Sequence, residues 1–381
     1  GCETYIADLS NRLVQDGHQV HLYACRWDAA SLPAAMTYHA LPTIVGPRFL
    51  RPWRFGSACL RALADQRHDV TVGFDKTWGL DVLYPQGGLH RASADHNVRK
   101  FASRAARGVS RFLKRFDPAH WSYSMLERRQ YLGAKKPLIV VNSLMVRDHF
   151  QHYYSVSTKD LHVVRSSIDP ARFPEHDRLK RRQEMRDAWG LDPSRTVALF
   201  AAMNYRLKGL DPLLHGVARM RTTAEFRERA EAFRLVVVGN PKFGAYEKLA
   251  ARLGIAEQVR FVGHCREMRN AYFASDFLVH PTFYDPCSLV VLEALACGLP
   301  VITTCVNGAS ELLSPPQEGF VLDDPHDREQ MAWSLGMLLD PVRRHACTVA
   351  ARKTGTQWTF EQHYQQLLAA FRDAAARKNA A

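Results

Sequence analysis

The chain has 381 residues, 46% hydrophobic and 23% charged, enough for two domains with sizeable cores and ordinary for a globular protein. No run of 18 or more apolar residues occurs, so no membrane span is expected, and eight scattered cysteines without a CxxC pair exclude a zinc ligand set or a redox pair of that pattern and make a reduced, cytoplasmic setting the default. The net charge of +13 calls for an anionic partner: nucleic acid, anionic lipid or a phosphorylated substrate.

Tyr5, Ile6, Leu9, Leu13 and Val14 recur at helical spacing, and Gly17 marks the end of a helix over 1–17. A strand over 19–24 follows. Parallel α/β proteins place a strand ahead of such a helix, so the first strand is expected to be missing from a sequence that opens at Gly1, and an upstream targeting segment stays open. A short helix over 57–67 leads into a strand at 69–74. Residues 75–92, DKTWGLDVLYPQGGLHRA, read as a Gly-, Pro- and aromatic-rich loop after a strand, either a working loop or a plain surface connection. Asp75, Asp81 and His90 are its polar candidates, although a lone loop histidine is more often structural.

Residues 97–116, NVRKFASRAARGVSRFLKRF, contain no acidic residue. Phe101, Ala105, Val109, Phe112, Leu113 and Phe116 fall on one helical stripe, and Arg99, Lys100, Arg104, Arg107, Arg111, Lys114 and Arg115 fill much of the rest. A basic amphipathic helix with aromatic residues suits an anionic membrane surface. It equally suits a core-facing helix with a solvated basic face. Nucleic acid ranks last, because no RNA-binding signature accompanies the charge.

Strands are expected at 137–143 and 161–169. The polar stretch 170–195 reads as the domain junction. The second half then alternates strands at 196–202, 234–240, 259–264, 277–282, 301–305 and 320–324 with helical segments, which predicts a doubly wound α/β sheet. A last helix runs from about 360 to 378.

In such a sheet ligands lie beyond the carboxyl ends of strands. Three loops qualify: 203–209 with Arg206 and Lys208, 239–243 opening at Gly239, and 283–300, FYDPCSLVVLEALACGLP, followed closely by 307–311. The third reads as strand, turn, helix, strand, with Pro286 suited to a first helical turn and Gly298-Leu299-Pro300 to an exit. A helix starting there aims N–H groups at an anion. Asp285 and Glu293 are eight positions apart, roughly two helical turns if the helix starts near Asp285. Together they suit a nucleotide sugar, with diphosphate on the amides and hydroxyls on the acids. The plain alternative is a buried helix whose Glu293 caps or pairs.

These residues carry a resemblance. The 283–300 stretch is similar to the E-x7-E region of the retaining glycosyltransferases of family 4, and LKG at 207–209, VVVG at 236–239 and the run 274–304 fit the same family in order and spacing. Within it, VGFDKTWGLDVLY (72–84) is similar to the corresponding stretch of the lipopolysaccharide core glucosyltransferases, and the basic segment near 97–132 falls where those enzymes touch membrane. The resemblance implies a GT-B fold: two Rossmann-like α/β domains facing a cleft, the first lacking its opening strand. Residues 1–170 are then an acceptor domain, 171–359 a nucleotide-sugar domain, and 360–381 a helix that packs back on the first.

The resemblance also implies roles. Glu293 holds the ribose. Asp285, where the family usually has the longer Glu, contacts the transferred sugar. Lys208 and Arg206 neutralise the diphosphate, and the backbone at Cys287, Ser288 and Leu289 seats phosphate. Gly1 lets the backbone approach the sugar phosphate, and Gly239, closing the VVVG match, is a donor-binding candidate; His90 stays a catalytic candidate from the loop reading alone, a polar group that could face the cleft. The implied reaction is retaining hexose transfer, from UDP-glucose to a lipid-linked inner-core heptose, with no metal and no cofactor. The leaving phosphate takes the proton, and the enzyme sits peripherally on the cytoplasmic side of an anionic inner membrane. A nucleotide-sugar epimerase on the same fold, or a non-catalytic binder of anionic membrane or nucleic acid, stays open.

Overall fold

The computed structural model describes residues 2–28 and 32–380. Contacts divide the chain into two units. One comprises residues 1–95, 104–166 and 361–381; the other comprises 96–103 and 167–360.

In the first unit α1 (Cys2–Gln15) leads to β1 (His21–Ala24), which pairs in parallel with β2 (Thr37–Ala40). After α2 (Arg51–Leu63) comes a four-stranded parallel sheet in the order β3 (Val72–Phe74), β4 (Val82–Tyr84), β5 (Leu138–Val141) and β6 (Leu161–Val163). Between β4 and β5 run α3 (His90–Asn97), α4 (Arg104–Lys114) and α5 (Pro118–Leu132); α6 (Leu144–Tyr154) joins β5 to β6.

Three expectations change here. The stretch 75–92 is not one loop: it contains β4, an inner strand buried at every residue, and the start of α3. Its strand character comes from partners on both sides, Val72 and Leu138 against Val82, which local Gly- and Pro-rich composition hides. Asp81 serves the fold, since its Oδ2 accepts from the backbone N–H (2.9 Å) and hydroxyl (2.8 Å) of Thr71, and its Oδ1 pairs with Lys135. The basic segment is also not one helix over 97–116. A short 3-10 turn at Val98–Lys100 ends at an extended Phe101, and α4 starts only after Ser103, a residue type favoured before a helix.

The second unit contains α7 (Arg178–Ala188), inside the stretch expected to be a junction. It is no linker. Arg186 is 1% exposed and donates from Nε to Ala274 O (2.9 Å), from one terminal nitrogen to Pro193 O and Arg195 O, and from the other to Asp276 Oδ2 (3.0 Å). Arg182 takes Asp276 Oδ1 at 2.6 Å, and Val197 N–H donates to Asp276 Oδ2. A carboxylate reached by two guanidinium groups and an amide is what makes the buried arginine tolerable.

Six strands follow: β7 (Thr196–Ala202), β8 (Phe233–Gly239), β9 (Val259–Gly263), β10 (Phe277–His280), β11 (Val301–Thr304) and β12 (Gly319–Leu322). Helices α8 (Leu210–Thr222), α9 (Arg227–Ala230), α10 (Gly244–Arg252), α11 (Met268–Ala274), α12 (Leu289–Ala296), α13 (Arg328–Leu339) and α14 (Pro341–Gln357) intervene or follow. All six strands expected in this half are present. The sheet is parallel in the order β12-β11-β10-β7-β8-β9, so the chain winds outward in both directions from a switch point between β7 and β10. Successive residues point to opposite faces. Ala198, Phe200, Leu235, Val237, Phe277 and Val279 enter one core, and Val197, Leu199, Ala201, Val236, Val238 and Leu278 the other. A strand buried on both faces needs this continuous apolar run.

The last helix, α15 (Phe360–Ala380), belongs largely to the first unit. Tyr5 OH meets His363 Nε2 at 2.7 Å, Tyr364 OH donates to Asp16 Oδ2 at 2.6 Å, and Arg12 donates to Glu361 at 2.9 Å.

Asp276→Ala is expected to lower unfolding free energy by about 3–5 kcal/mol, because it strands the buried Arg186 charge. Arg186→Met is expected to cost less, since Arg182 still pairs Asp276. Urea unfolding checks both, and a loss below about 1 kcal/mol for Asp276→Ala contradicts the role.

Candidate active site

The sheet order singles out one place. Ligands of doubly wound sheets lie outside the carboxyl ends of the strands flanking the switch point, here β7 and β10. The loop after β7 carries Arg206 and Lys208; the loop after β10 carries Asp285. The two loops pack together. Phe283 N–H donates to Leu207 O (2.9 Å), and Gly209 lies at φ +80° so close to the β10 loop that a Cβ would meet Pro281 O at 2.0 Å. No other residue type fits there without moving backbone.

This packing brings Lys208 Nζ onto Asp285 Oδ2, with both side chains largely buried. Burial by itself raises the Asp285 pKa, but the Lys208 ammonium and the nearby His280 ring outweigh it and hold the carboxyl far below the usual range. His280, at the carboxyl end of β10, lies 3.8 Å from the same Oδ2, beyond hydrogen-bond reach, so its effect is that of a neighbouring dipole.

Asp285 is not on the helix. Its N–H donates to Val306 O (3.1 Å) and its carbonyl accepts from Gly308 N–H (2.9 Å), an isolated parallel bridge with Asn307. Pro286 and Cys287 complete the turn, and α12 starts at Leu289 with Ser288 in the N-cap position. The eight-residue spacing to Glu293 is thus half loop and half helix, not two helical turns, and Pro286 stands ahead of the helix rather than in its first turn. The reason is Asn307. Fully buried, it accepts from Ser288 N–H (3.2 Å) and Ala309 N–H (3.1 Å) through Oδ1 and donates to Thr303 Oγ1 (3.0 Å), which pins the turn to the loop after β11. The Ser288 amide, expected to seat phosphate, is therefore engaged by Asn307. The amides at Leu289 and Val290, in the first turn of α12, are those that helix geometry directs to partners outside the helix.

Glu293 lies within α12. Tyr272 of α11 donates to its Oε2 at 2.6 Å. Burial raises its pKa, against the Tyr272 hydrogen bond and the Arg172 charge. Arg206 does not join Lys208 on the carboxylate; its guanidinium stacks 4.4 Å over the Phe101 ring, and Lys100 beside it has its pKa lowered by burial and then by Arg206. The segment 96–103 thus packs against this unit's loops, as His96 stacking on Tyr284 (5.2 Å) also shows. Gly239 ends β8 at φ +127°, where a Cβ would meet Ala202 O at 2.0 Å. Cys287 is partly exposed.

His90 lies in the first unit and opens α3, not a loop. Its Nε2 lies 3.1 Å from His120 Nδ1, and burial pushes its pKa down to about 4. Gly1 lies outside the described residues. Sequence reasoning misses His280 and Tyr272, and includes Asn307 only within the 307–311 stretch, without its role. Only His280 carries a signal, a histidine closing an otherwise apolar strand.

Known proteins share this arrangement of elements. Residues 1–172 match the family described as Glycosyltransferase Family 4, and residues 194–340 the family described as Glycosyl transferases group 1. The chain is 25% identical over 324 residues to the lipopolysaccharide glucosyltransferase WaaG of Escherichia coli (strain K12), covering 85% of this chain and 82% of that protein. It is 30% identical over 259 residues to the D-inositol 3-phosphate glycosyltransferase of Rhodococcus opacus (strain B4), covering 66% of this chain and 56% of that protein. The crystal structure of WaaG superposes with a TM-score of 0.78 at 22% identity over 96% of this chain and 94% of that one. Anabaena HepE, solved in complex with UDP-glucose, superposes with a TM-score of 0.66 at 15% identity, over 98% and 96%.

The Asp285 carboxyl, held low in the folded state, contributes stability that is complete above its unfolded pKa of about 4 and is lost as pH falls toward the folded value. Acid titration of stability is expected to be flatter below pH about 4 for Asp285→Asn than for the parent protein. Superimposable acid limbs contradict the pairing.

Proposed function

From the premise that the chain belongs to the family 4, group 1 glycosyltransferases of GT-B fold, we propose that it transfers glucose from UDP-glucose, with retention, to a lipid-linked inner-core heptose. The observation that carries this reading is the Lys208–Asp285 pair at the switch point, with Glu293 on the helix that follows. A donor diphosphate entering there competes with Asp285 for the Lys208 ammonium and finds the first amides of α12 in its path. Asp285, released, accepts from hydroxyls of the hexose, and Glu293 from those of the ribose.

The chemistry needs little more. In retaining transfer the acceptor hydroxyl attacks from the face that the leaving phosphate occupies, and that phosphate takes the proton. The protein positions the partners and stabilises charge on the departing diphosphate, which is where a preorganised cation is most effective. The first unit binds the acceptor.

The enzyme works at the cytoplasmic face of an anionic membrane. Support comes from α4, which buries none of its residues. Val109, Phe112, Leu113 and Phe116 are 59–69% exposed, and Trp121 and Met125 of α5 are 58% exposed. Arg104, Arg107 and Arg111 stand among them. The apolar stripe is not packed into a core; it lies open. Apolar rings beside arginines suit the headgroup boundary. No helix among the described residues is long and apolar enough to cross a membrane.

The direct test supplies UDP-hexoses with and without truncated core lipopolysaccharide. Acceptor-dependent release of UDP from UDP-glucose is expected, and isomerised sugar nucleotide formed without acceptor contradicts the reading in favour of an epimerase. Glu293→Ala is expected to weaken UDP binding by about 1.5–3 kcal/mol, the worth of a hydrogen bond to a charged group. For the membrane face, replacing Arg104, Arg107 and Arg111 is expected to weaken binding to anionic vesicles by about 1 kcal/mol per arginine, and salt-insensitive binding that survives the replacement contradicts it.

A further inference from the structure

The imidazole of His280 is a polar group that the reading above does not use. It closes β10, its side chain is 2% exposed, and neither ring nitrogen has a hydrogen-bond partner among the described residues. A buried polar group left without a partner costs stability and calls for a reason. The ring is held in place by stacking on Phe200, with centroids 6.3 Å apart and planes 27° apart.

Its Nε2 lies 3.8 Å from Asp285 Oδ2, and that oxygen is the one Lys208 bonds. One carboxylate atom therefore has two candidate partners. The ammonium is bonded; the imidazole is about 1 Å too far for an N–H···O bond. On the reading above the diphosphate draws Lys208 away, which takes from the largely buried Asp285 carboxylate its one charged partner and leaves it only the hexose hydroxyls, a costly exchange for a buried charge.

We propose that His280 is a positioning residue for the donor sugar: its Nε2–H takes Asp285 Oδ2 when Lys208 turns to the diphosphate, and so holds the carboxylate toward the hexose. The inference rests on the assignment of Lys208 and Asp285 to the donor. A neutral imidazole meets the need, since one N–H suffices and the other nitrogen carries no charge. Burial favours that neutral form. The exchange also explains why the orphan ring is kept: it has its partner only in the loaded site.

Two variants test this. His280→Phe keeps the shape and the stack on Phe200 and removes the N–H. His280→Gln returns an amide N–H in the same direction. Calorimetry with UDP and with UDP-glucose, together with kcat and KM, reads the result. For His280→Phe the UDP Kd is expected to stay within about twofold, while kcat falls about tenfold or more, the size of a hydrogen bond to a charged group. His280→Gln is expected to recover part of kcat. In the parent protein the 15N resonances of the His280 ring are expected to shift on adding UDP-glucose and not on adding uridine. A His280→Phe protein that keeps kcat within about twofold overturns the proposal, as does a loss of UDP affinity in both variants that tracks a loss of thermal stability. If the parent protein binds no UDP, the donor assignment fails and this inference with it. If the parent transfers sugar and His280→Phe transfers equally well, the assignment stands and only the positioning role falls.

Discussion

One ion pair organises the second unit's working end: Lys208 from the loop after β7 against Asp285 from the loop after β10. Those two strands are neighbours only because the sheet reverses its winding between them. The pair is thus a direct product of topology. It exists because Gly209 lets the two loops approach within backbone contact and because Asn307 ties the β10 loop to the one after β11. An ion pair so placed lets two largely buried charges satisfy one another.

Much of this is legible in the residues, for a physical reason. The second unit's strands are buried on both faces, so each must be a continuous apolar run, and such runs stand out against their Gly, Asp and Lys boundaries. The first unit is harder to read. Its strands are three or four residues long, too short for a period to show, and β2 and β4 lie between Pro- and Gly-containing stretches that read as loop. Asp285 and Glu293 stand out as a pair, but their spacing reads as helix throughout, because nothing local shows that Asn307 holds the turn open. Arg186 defeats composition altogether. It sits in a polar run that looks like a linker, and its burial follows from Asp276, 90 positions away along the chain.

The basic segment shows how a single pattern can serve two purposes. Its amphipathic periodicity is real from Arg104 onward, where α4 leaves its apolar side open. Ahead of that point the same kind of residue does something else. Phe101 supports the Arg206 guanidinium, and His326 bonds Arg99 O at 2.8 Å. The break at 101–103 separates a stretch that belongs with the second unit's loops from a helix whose apolar side is exposed.

The most direct measurement is a structure of the protein with UDP-glucose bound. The account predicts the diphosphate within hydrogen-bond distance of Lys208 Nζ and the α12 amides, with Asp285 on the hexose and Glu293 on the ribose. A nucleotide bound elsewhere while Lys208 stays on Asp285 would contradict it.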